Sequence, residues 1–236
     1  MKKNKVTKAI AIPDNVPNPQ CAGLDTILEL TKKEPKLLAI ATLRAEQVNT
    51  NNLGVIRKLF ASKKAHGFKI FPGHDPIYPT DKRWQPIFSL CQEFNLPLII
   101  HTGINTGDKK CAKYNDPAHI VNVANSFKNL KIIIAHYFWP KLDYCFKITK
   151  GYKNIFFDTS CLADEEVLKM SKGLRKIKKI LIKTISRDRH SLIFGSDWPM
   201  TDMAAHINLI KTLPVADSLK DDIYFRNAIR VFKLKK

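Results

Sequence analysis

The fold turns on the stretch Leu192-Ile193-Phe194-Gly195-Ser196-Asp197-Trp198-Pro199-Met200. An apolar run ends in a glycine, and a carboxylate follows just past the last apolar residue. Such a run suits a strand covered on both faces, as in a parallel sheet. Pro199 cannot continue a central strand, so the chain must turn there. Asp197 is thereby placed at the carboxyl end of a buried strand, where α/β folds keep their chemistry. Two other runs deliver a histidine to the equivalent place: Pro97-Leu98-Ile99-Ile100-His101-Thr102-Gly103 and Lys131-Ile132-Ile133-Ile134-Ala135-His136.

Working outward, strand-like runs begin near Val6, Leu37, His66, Leu96, Leu130, Asn154 and Ser191. They recur about every 30 residues, the length of a βα unit. The segments between them carry apolar residues at helical spacing, such as Ile120, Val123, Ala124 and Phe127 after the cap-and-proline pair Asp116-Pro117. The longest helix is expected from Asp164 to Ile185, with acids in its first turn and lysines late. A last helix is expected near Ser218 to Phe232. Loops rich in Pro, Gly and Asn follow several strands: Pro13 to Gly23, Pro72 to Lys82 and Thr102 to Asp116. Seven βα units without a break predict one domain over residues 1–236, an α/β chain of (β/α)8 TIM-barrel type short of its first strand. A doubly wound open sheet is the alternative, but no G-x-G-x-x-G follows any strand.

Composition narrows the function classes. A hydrophobic content of 44% with 26% charged residues is that of an ordinary globular chain. No apolar run approaches the roughly 18–20 residues that cross a bilayer, and the basic start Met1-Lys2-Lys3-Asn4-Lys5 does not read as a signal peptide. The 5 cysteines form no C-x-x-C pair, which argues for reduced thiols in a cytoplasm. Lys and Arg number 40 against 21 acids, a formal +19. The lysines are dispersed and not interleaved with aromatics, so weak, salt-sensitive nucleic-acid contact is expected and no specific nucleic-acid partner.

The strand-end residues carry the chemistry. A neutral imidazole is a common ligand for zinc or a similar divalent ion, and a barrel sets His101 and His136 side by side. Asp197 can hold a metal and take a proton from the water it activates. Lys69, inside Gly67-Phe68-Lys69-Ile70-Phe71, needs a partner and reaches the mouth to pair with a carboxylate. Asp158 ends another strand, where it orients His136, binds substrate or caps the next turn. His74 is a loop residue within reach of substrate. His66, His119, His190 and His206 fall before strands or on helices and read as structural.

These motifs resemble a family. Gly67-Phe68-Lys69-Ile70-Phe71-Pro72, the run ending His101-Thr102-Gly103, Ile134-Ala135-His136, Phe157-Asp158-Thr159-Ser160 and Phe194-Gly195-Ser196-Asp197-Trp198-Pro199 look like the amidohydrolase-related branch of the amidohydrolase superfamily, the branch of aminocarboxymuconate-semialdehyde decarboxylase. The likeness runs from Val6 to Leu234. It implies a metal-dependent hydrolase, decarboxylase or hydratase acting on a small carboxylated substrate at the carboxyl-terminal face of the barrel. It implies one divalent metal, zinc in first place, held by His101 and Asp197. His136 then stands behind them as general acid/base and hydrogen-bond partner of the activated water. Lys69, His74, Tyr137, Asp158 and Trp198 are the expected substrate contacts.

Two departures qualify the resemblance. Where the family has a glycine pair after its histidine, this chain has Tyr137-Phe138-Trp139-Pro140, bulky aromatics expected to shape the pocket for an apolar or planar substrate. The family also opens with a strand bearing His-x-His, which supplies two ligands, and Val6 to Ile12 matches the family's second strand. The start is then internal to a longer product, or the first strand has been lost. Weak metal binding and open sheet edges that invite self-association into a homo-oligomer are expected. Two other classes stay open: a catalytically degenerate barrel kept as scaffold or ligand-binding protein, and a nucleic-acid-binding relative of TatD-type nucleases.

Overall fold

The computed structural model describes residues 1–15, 22–104 and 109–235. Seven strands form one parallel sheet in chain order: β1 (Ala9–Ala11), β2 (Leu37–Thr42), β3 (Ala65–Ile70), β4 (Leu98–Ile100), β5 (Ile132–Ile134), β6 (Ile155–Asp158) and β7 (Leu192–Ile193). Helices cross between them: α1 (Leu24–Lys33), α2 (Thr50–Ala61), α3 (Gln85–Phe94), α4 (Pro117–Ser126), α5 (Leu142–Ile148), α6 (Glu165–Met170) and α7 (Leu174–Arg187). After β7 come α8 (Met203–Lys211), α9 (Asp217–Asp221), a π turn over Asp222–Arg226 and α10 (Asn227–Val231). The barrel-type βα arrangement read from the strand spacing is the observed one. Among the described residues no ladder joins β1 to β7.

Strand composition explains the layering. In β5 all three residues are isoleucine and all are buried, so both faces of the sheet are covered. Alternation sends Ile40, Ile99, Ile133, Phe156 and Ile193 to the inner face, and Leu98, Ile100, Ile132, Ile134, Phe157 and Leu192 outward under the helices. The register sets Lys69 beside Ile99, Ile99 beside Ile133 and Ile133 beside Phe156. Lys69 therefore belongs to the inward row.

The amino-terminal end of the sheet is closed by the tail. Val231 and Phe232 pack on the inner isoleucines, with Leu234 alongside. Lys131 Nζ donates to Val231 O (3.3 Å), Lys233 Nζ to Phe94 O (3.4 Å) and Lys8 Nζ to Lys235 O (3.3 Å), so the tail runs as a strap beneath the strands.

Some expectations need correction. The helix expected over 164–185 is two helices, α6 and α7, because Lys172 (φ 64°) and Gly173 (φ 88°) adopt left-handed backbone between them. The first strand, expected from Val6 to Ile12, is only Ala9–Ala11 and only partly buried. Cys21, and parts of the loops expected after the first and fourth strands, lie outside the described residues. Among the described residues no disulfide joins Cys91, Cys111, Cys145 or Cys161 to another of them. No helix of the described residues is long and apolar enough to cross a membrane.

Candidate metal centre and substrate mouth

Every predicted site residue except Tyr137 lies at or beside the carboxyl ends of the strands. Lys69 comes from β3, and the turn after it carries His74. Asp75, itself buried, fixes that turn by accepting bonds from Arg44 Nε and Ala45 N, each 3.3 Å. Asn115 Nδ2 donates to Pro72 O (3.3 Å) and Gly103 O (3.2 Å), tying the turns after β3 and β4 together. His101 follows β4, its ring centroid 4.7 Å from that of His74 and 5.0 Å from that of His136. Lys69 Nζ lies 4.7 Å from the Phe71 ring centroid, and the Phe71 ring stacks on both His74 and His101.

The ends of β5, β6 and β7 converge on one point. His136, Cys161 and Asp197 each offer a ligand atom, and these atoms lie within 4.8 Å of one another. All three have left-handed backbone, with φ of 58°, 64° and 68°. Such a conformation costs a non-glycine residue about 1–3 kcal/mol and persists where the surroundings enforce it. Gly195 allows the close approach, since a Cβ there would meet Ser160 Cβ at 3.2 Å. Thr159 Oγ1 accepts from Gly195 N (3.0 Å), extending the link between the β6 and β7 ends beyond the strands themselves.

A short relay fixes the His136 tautomer. Asp158 Oδ1 accepts from His136 N (2.9 Å), from Ser160 N (3.0 Å) and from Ser160 Oγ. The serine has one hydroxyl proton, and a carboxylate can only accept. Ser160 Oγ must then accept from His136 Nδ1 at 2.7 Å. The proton sits on Nδ1, and Nε2 keeps its lone pair. No hydrogen-bond partner for Nε2 stands among the described residues, although His136 is only 5% exposed.

Burial dominates the electrostatics. It lowers the pKa of His136, with Asp197 pulling the other way. Burial, then the charges of His136, Lys69 and His74, holds His101 well below the usual imidazole range. His74 is lowered too, chiefly by burial. For Asp197 burial pushes upward, but His136, Lys69 and the Cys161 thiol together outweigh it and leave the carboxyl below its ordinary value. Burial and the neighbouring Asp197 push the Cys161 thiol up, and Sγ donates to Asp197 Oδ2 at 3.1 Å.

This donor set fits a divalent ion. Ligands of one zinc lie about 2.0–2.3 Å from it and so no more than about 4.6 Å apart. Small side-chain adjustments bring the observed cluster into that range. His74 Nδ1 is also buried without a hydrogen-bond partner, which leaves a further donor-type atom at the mouth.

The site differs from the sequence reading in particulars. The donor group beside Asp197 contains His136, whereas His101 stands next to it. Tyr137, expected at the mouth, is fully buried: its hydroxyl hydrogen-bonds Thr184 of α7 (2.6 Å) and its ring stacks on Phe157 with centroids 4.4 Å apart. Left-handed backbone at His136, Tyr137 and Phe138 rotates the chain, so the aromatics enter the helix layer instead of the pocket. Phe138 and Trp139 are buried as well. Trp198 is 67% exposed at the outer rim. Asp158 meets His136 through its backbone N–H and through Ser160, not through the ring. Two residues were missed. Ser160 stands in the sequence reading only within a motif, and Cys161 only as one of five reduced thiols without a C-x-x-C pair; its place beside the Asp-Thr-Ser run was the available signal.

Residues 55–234 match the amidohydrolase family profile. The chain belongs to the amidohydrolase family. No curated protein matches it in sequence. Among solved structures, the chain is similar to an uncharacterised TIM-barrel protein from Bordetella bronchiseptica, 16% identical, covering 97% of this chain and 78% of that one with a TM-score of 0.80. A probable 2-pyrone-4,6-dicarboxylic acid hydrolase from Acinetobacter baumannii, with citric acid bound, is 15% identical over 98% of this chain and 85% of its own, TM-score 0.70. A dihydroxybenzoic acid decarboxylase from Polaromonas, with manganese and the inhibitor 2-nitroresorcinol bound, is 15% identical over 90% of this chain and 74% of its own, TM-score 0.66. At these identities the likeness shows the TIM-barrel fold.

Proposed function

We propose that this amidohydrolase is a divalent-metal-dependent hydrolase or decarboxylase of a small carboxylated substrate, bound at the carboxyl-terminal mouth of the sheet. The observation that carries the reading is Lys69. Its side chain is on the inward row and only 5% exposed, and no carboxylate of the described residues forms an ion pair with it. Asp197 acts on it only through space, beyond ion-pair distance, and a buried ammonium needs a directly paired counter-charge, which an anionic substrate provides. The names of the probable 2-pyrone-4,6-dicarboxylic acid hydrolase from Acinetobacter and of the dihydroxybenzoic acid decarboxylase from Polaromonas support the same substrate class.

The residues divide the work. Asp197 and His136 would hold the ion, which when bound supplies Lewis-acid polarisation of a substrate oxygen. Lys69 pairs with the substrate carboxylate. His101, neutral at neutral pH, hydrogen-bonds the substrate beside it. Asp197, ionised across the neutral range, moves the proton: it takes one from water in a hydrolysis, or takes one from a substrate hydroxyl or water and then returns it to ring carbon as carbon dioxide leaves. The Asp158–Ser160 relay keeps the His136 Nε2 lone pair aimed at the site.

The test is turnover of the zinc- or manganese-loaded chain against carboxylated aromatics, read as carbon dioxide release, and against carboxylated cyclic esters, read as acid release. One class should turn over, and Lys69→Met should raise KM more than it lowers kcat, with kcat/KM falling about 10²-fold or more. Absence of turnover on both classes, or a Lys69→Met variant with unchanged KM, would sink the reading.

A further inference from the structure

Cys161 occupies a backbone position that favours glycine, with a φ of 64°, and from there holds its Sγ 3.1 Å from Asp197 Oδ2. The geometry points to a thiolate-bearing metal centre, in which His136 Nε2, Cys161 Sγ and the Asp197 carboxylate are the three protein ligands of a thiophilic divalent ion, zinc in preference to manganese. This rests on the metal-dependent reading above and adds to it a ligand and an ion class.

Two independent features converge on it. The donor atoms of these three residues cluster within 4.8 Å. His136, only 5% exposed, has Nδ1 engaged by Ser160 and an Nε2 with no partner among the described residues. That lone pair, with no protein hydrogen bond to hold it, is available to an ion at the mouth. One nitrogen, one sulfur and one oxygen with a position left open is the ligand count of a catalytic zinc site. Carboxylate and water suffice for manganese, whereas a soft sulfur donor favours zinc. The other described cysteines, Cys91, Cys111 and Cys145, are buried elsewhere and do not belong to the cluster.

The binding step balances simply. The Sγ–H bond breaks, a sulfur–metal bond forms, and the proton now shared with Asp197 passes to buffer; no electron is transferred.

The experiment titrates the reduced, metal-free full chain with cobalt(II) and follows its near-ultraviolet and visible spectrum. The native chain should take up about one ion and show an intense sulfur-to-cobalt charge-transfer band. Zinc should displace the cobalt at stoichiometric concentration, and manganese should fail to do so at about a hundredfold excess. Cys161→Ser should lose the band, and its preference for zinc over manganese should fall at least about tenfold. Cys161→Gly, whose backbone suits the left-handed conformation, guards against misfolding: it should lose the band too, while its metal-free melting temperature equals or exceeds the native one. Cobalt uptake without the band, or a band that survives in Cys161→Ser, overturns the thiolate ligand and leaves the metal-dependent reading standing. No cobalt uptake by the native chain overturns both.

Discussion

The two ends of the sheet are built on opposite terms. At the carboxyl-terminal end, His136, Cys161 and Asp197 are held in left-handed backbone, and charged and imidazole groups face one another at close range. At the amino-terminal end, Val231 and Phe232 fill the space beneath Ile99 and Ile133, and lysines bind tail carbonyls. One end holds strained polar geometry and the other provides packing. The difference teaches that the mouth need not contribute to stability, because the strap and the isoleucine rows supply it.

This contrast can be broken by substitution at each end. Asp197→Asn should lower kcat roughly 10³-fold or more, equivalent to about 4 kcal/mol of barrier. Its melting temperature should stay within about 3 °C of native, because an exposed-side change at a strained site costs the fold little. A large loss of stability in that variant would show that the mouth does hold the fold together. Phe232→Ala should do the reverse. It should cost about 3–5 kcal/mol in urea unfolding, the range for emptying a buried aromatic site, while the folded fraction retains its metal stoichiometry. Unchanged unfolding would mean that the tail is not the closure it is taken to be.

Much of this contrast was legible in the sequence, and the reasons for the rest are physical. His101, His136 and Asp197 stood out because each ends a continuous apolar run, and strand periodicity needs no tertiary information. Lys69 stood out as a charge within such a run. Cys161 did not, because its value depends on a φ of 64° that aims Sγ at Asp197, in the turn beyond the next strand. Ser160 was hidden for the same reason: a hydroxyl bridging Asp158 and His136 is a fact of distance, not of spacing. Tyr137 was misplaced because three left-handed residues in succession turn the chain away from the strand direction. The break between α6 and α7 did have a signal in Gly173, outweighed by the charge pattern on either side.

Smaller effects sharpen the comparison. Ser160→Ala should cost about 1 kcal/mol of stability and release the tautomer lock. Nitrogen NMR of the His136 ring would then show a mixture of Nδ1–H and Nε2–H forms where the native chain shows Nδ1–H alone. The smallest effect belongs to His66 at the strap. Burial lowers its pKa from 6.5, against a raising hydrogen bond that the ring donates to the Phe232 backbone carbonyl, and Lys63 adds a further lowering. A histidine with a lowered folded pKa contributes stability that is present above pH 6.5 and is lost as pH falls through the folded value. The metal-free chain should therefore lose less stability between about pH 7.5 and about pH 5.5 when it carries His66→Gln. Because the ring is half-exposed, the difference should stay under about 1 kcal/mol. Identical urea midpoints for the two proteins at both values would remove His66 from the account of the strap.

The consecutive strand order has a kinetic consequence. Each ladder joins neighbours along the chain, so each pairing closes a loop of about 30 residues. Closure entropy grows only with the logarithm of loop length, so no ladder is much harder to form than the next, and assembly can spread outward from any pair. The strap is different: Lys8 meets Lys235 across 227 residues. It closes the longest loop for few bonds, which makes it the latest contact on the folding route and the earliest to open on the way out. How often that latch opens governs how often the isoleucine interior meets water.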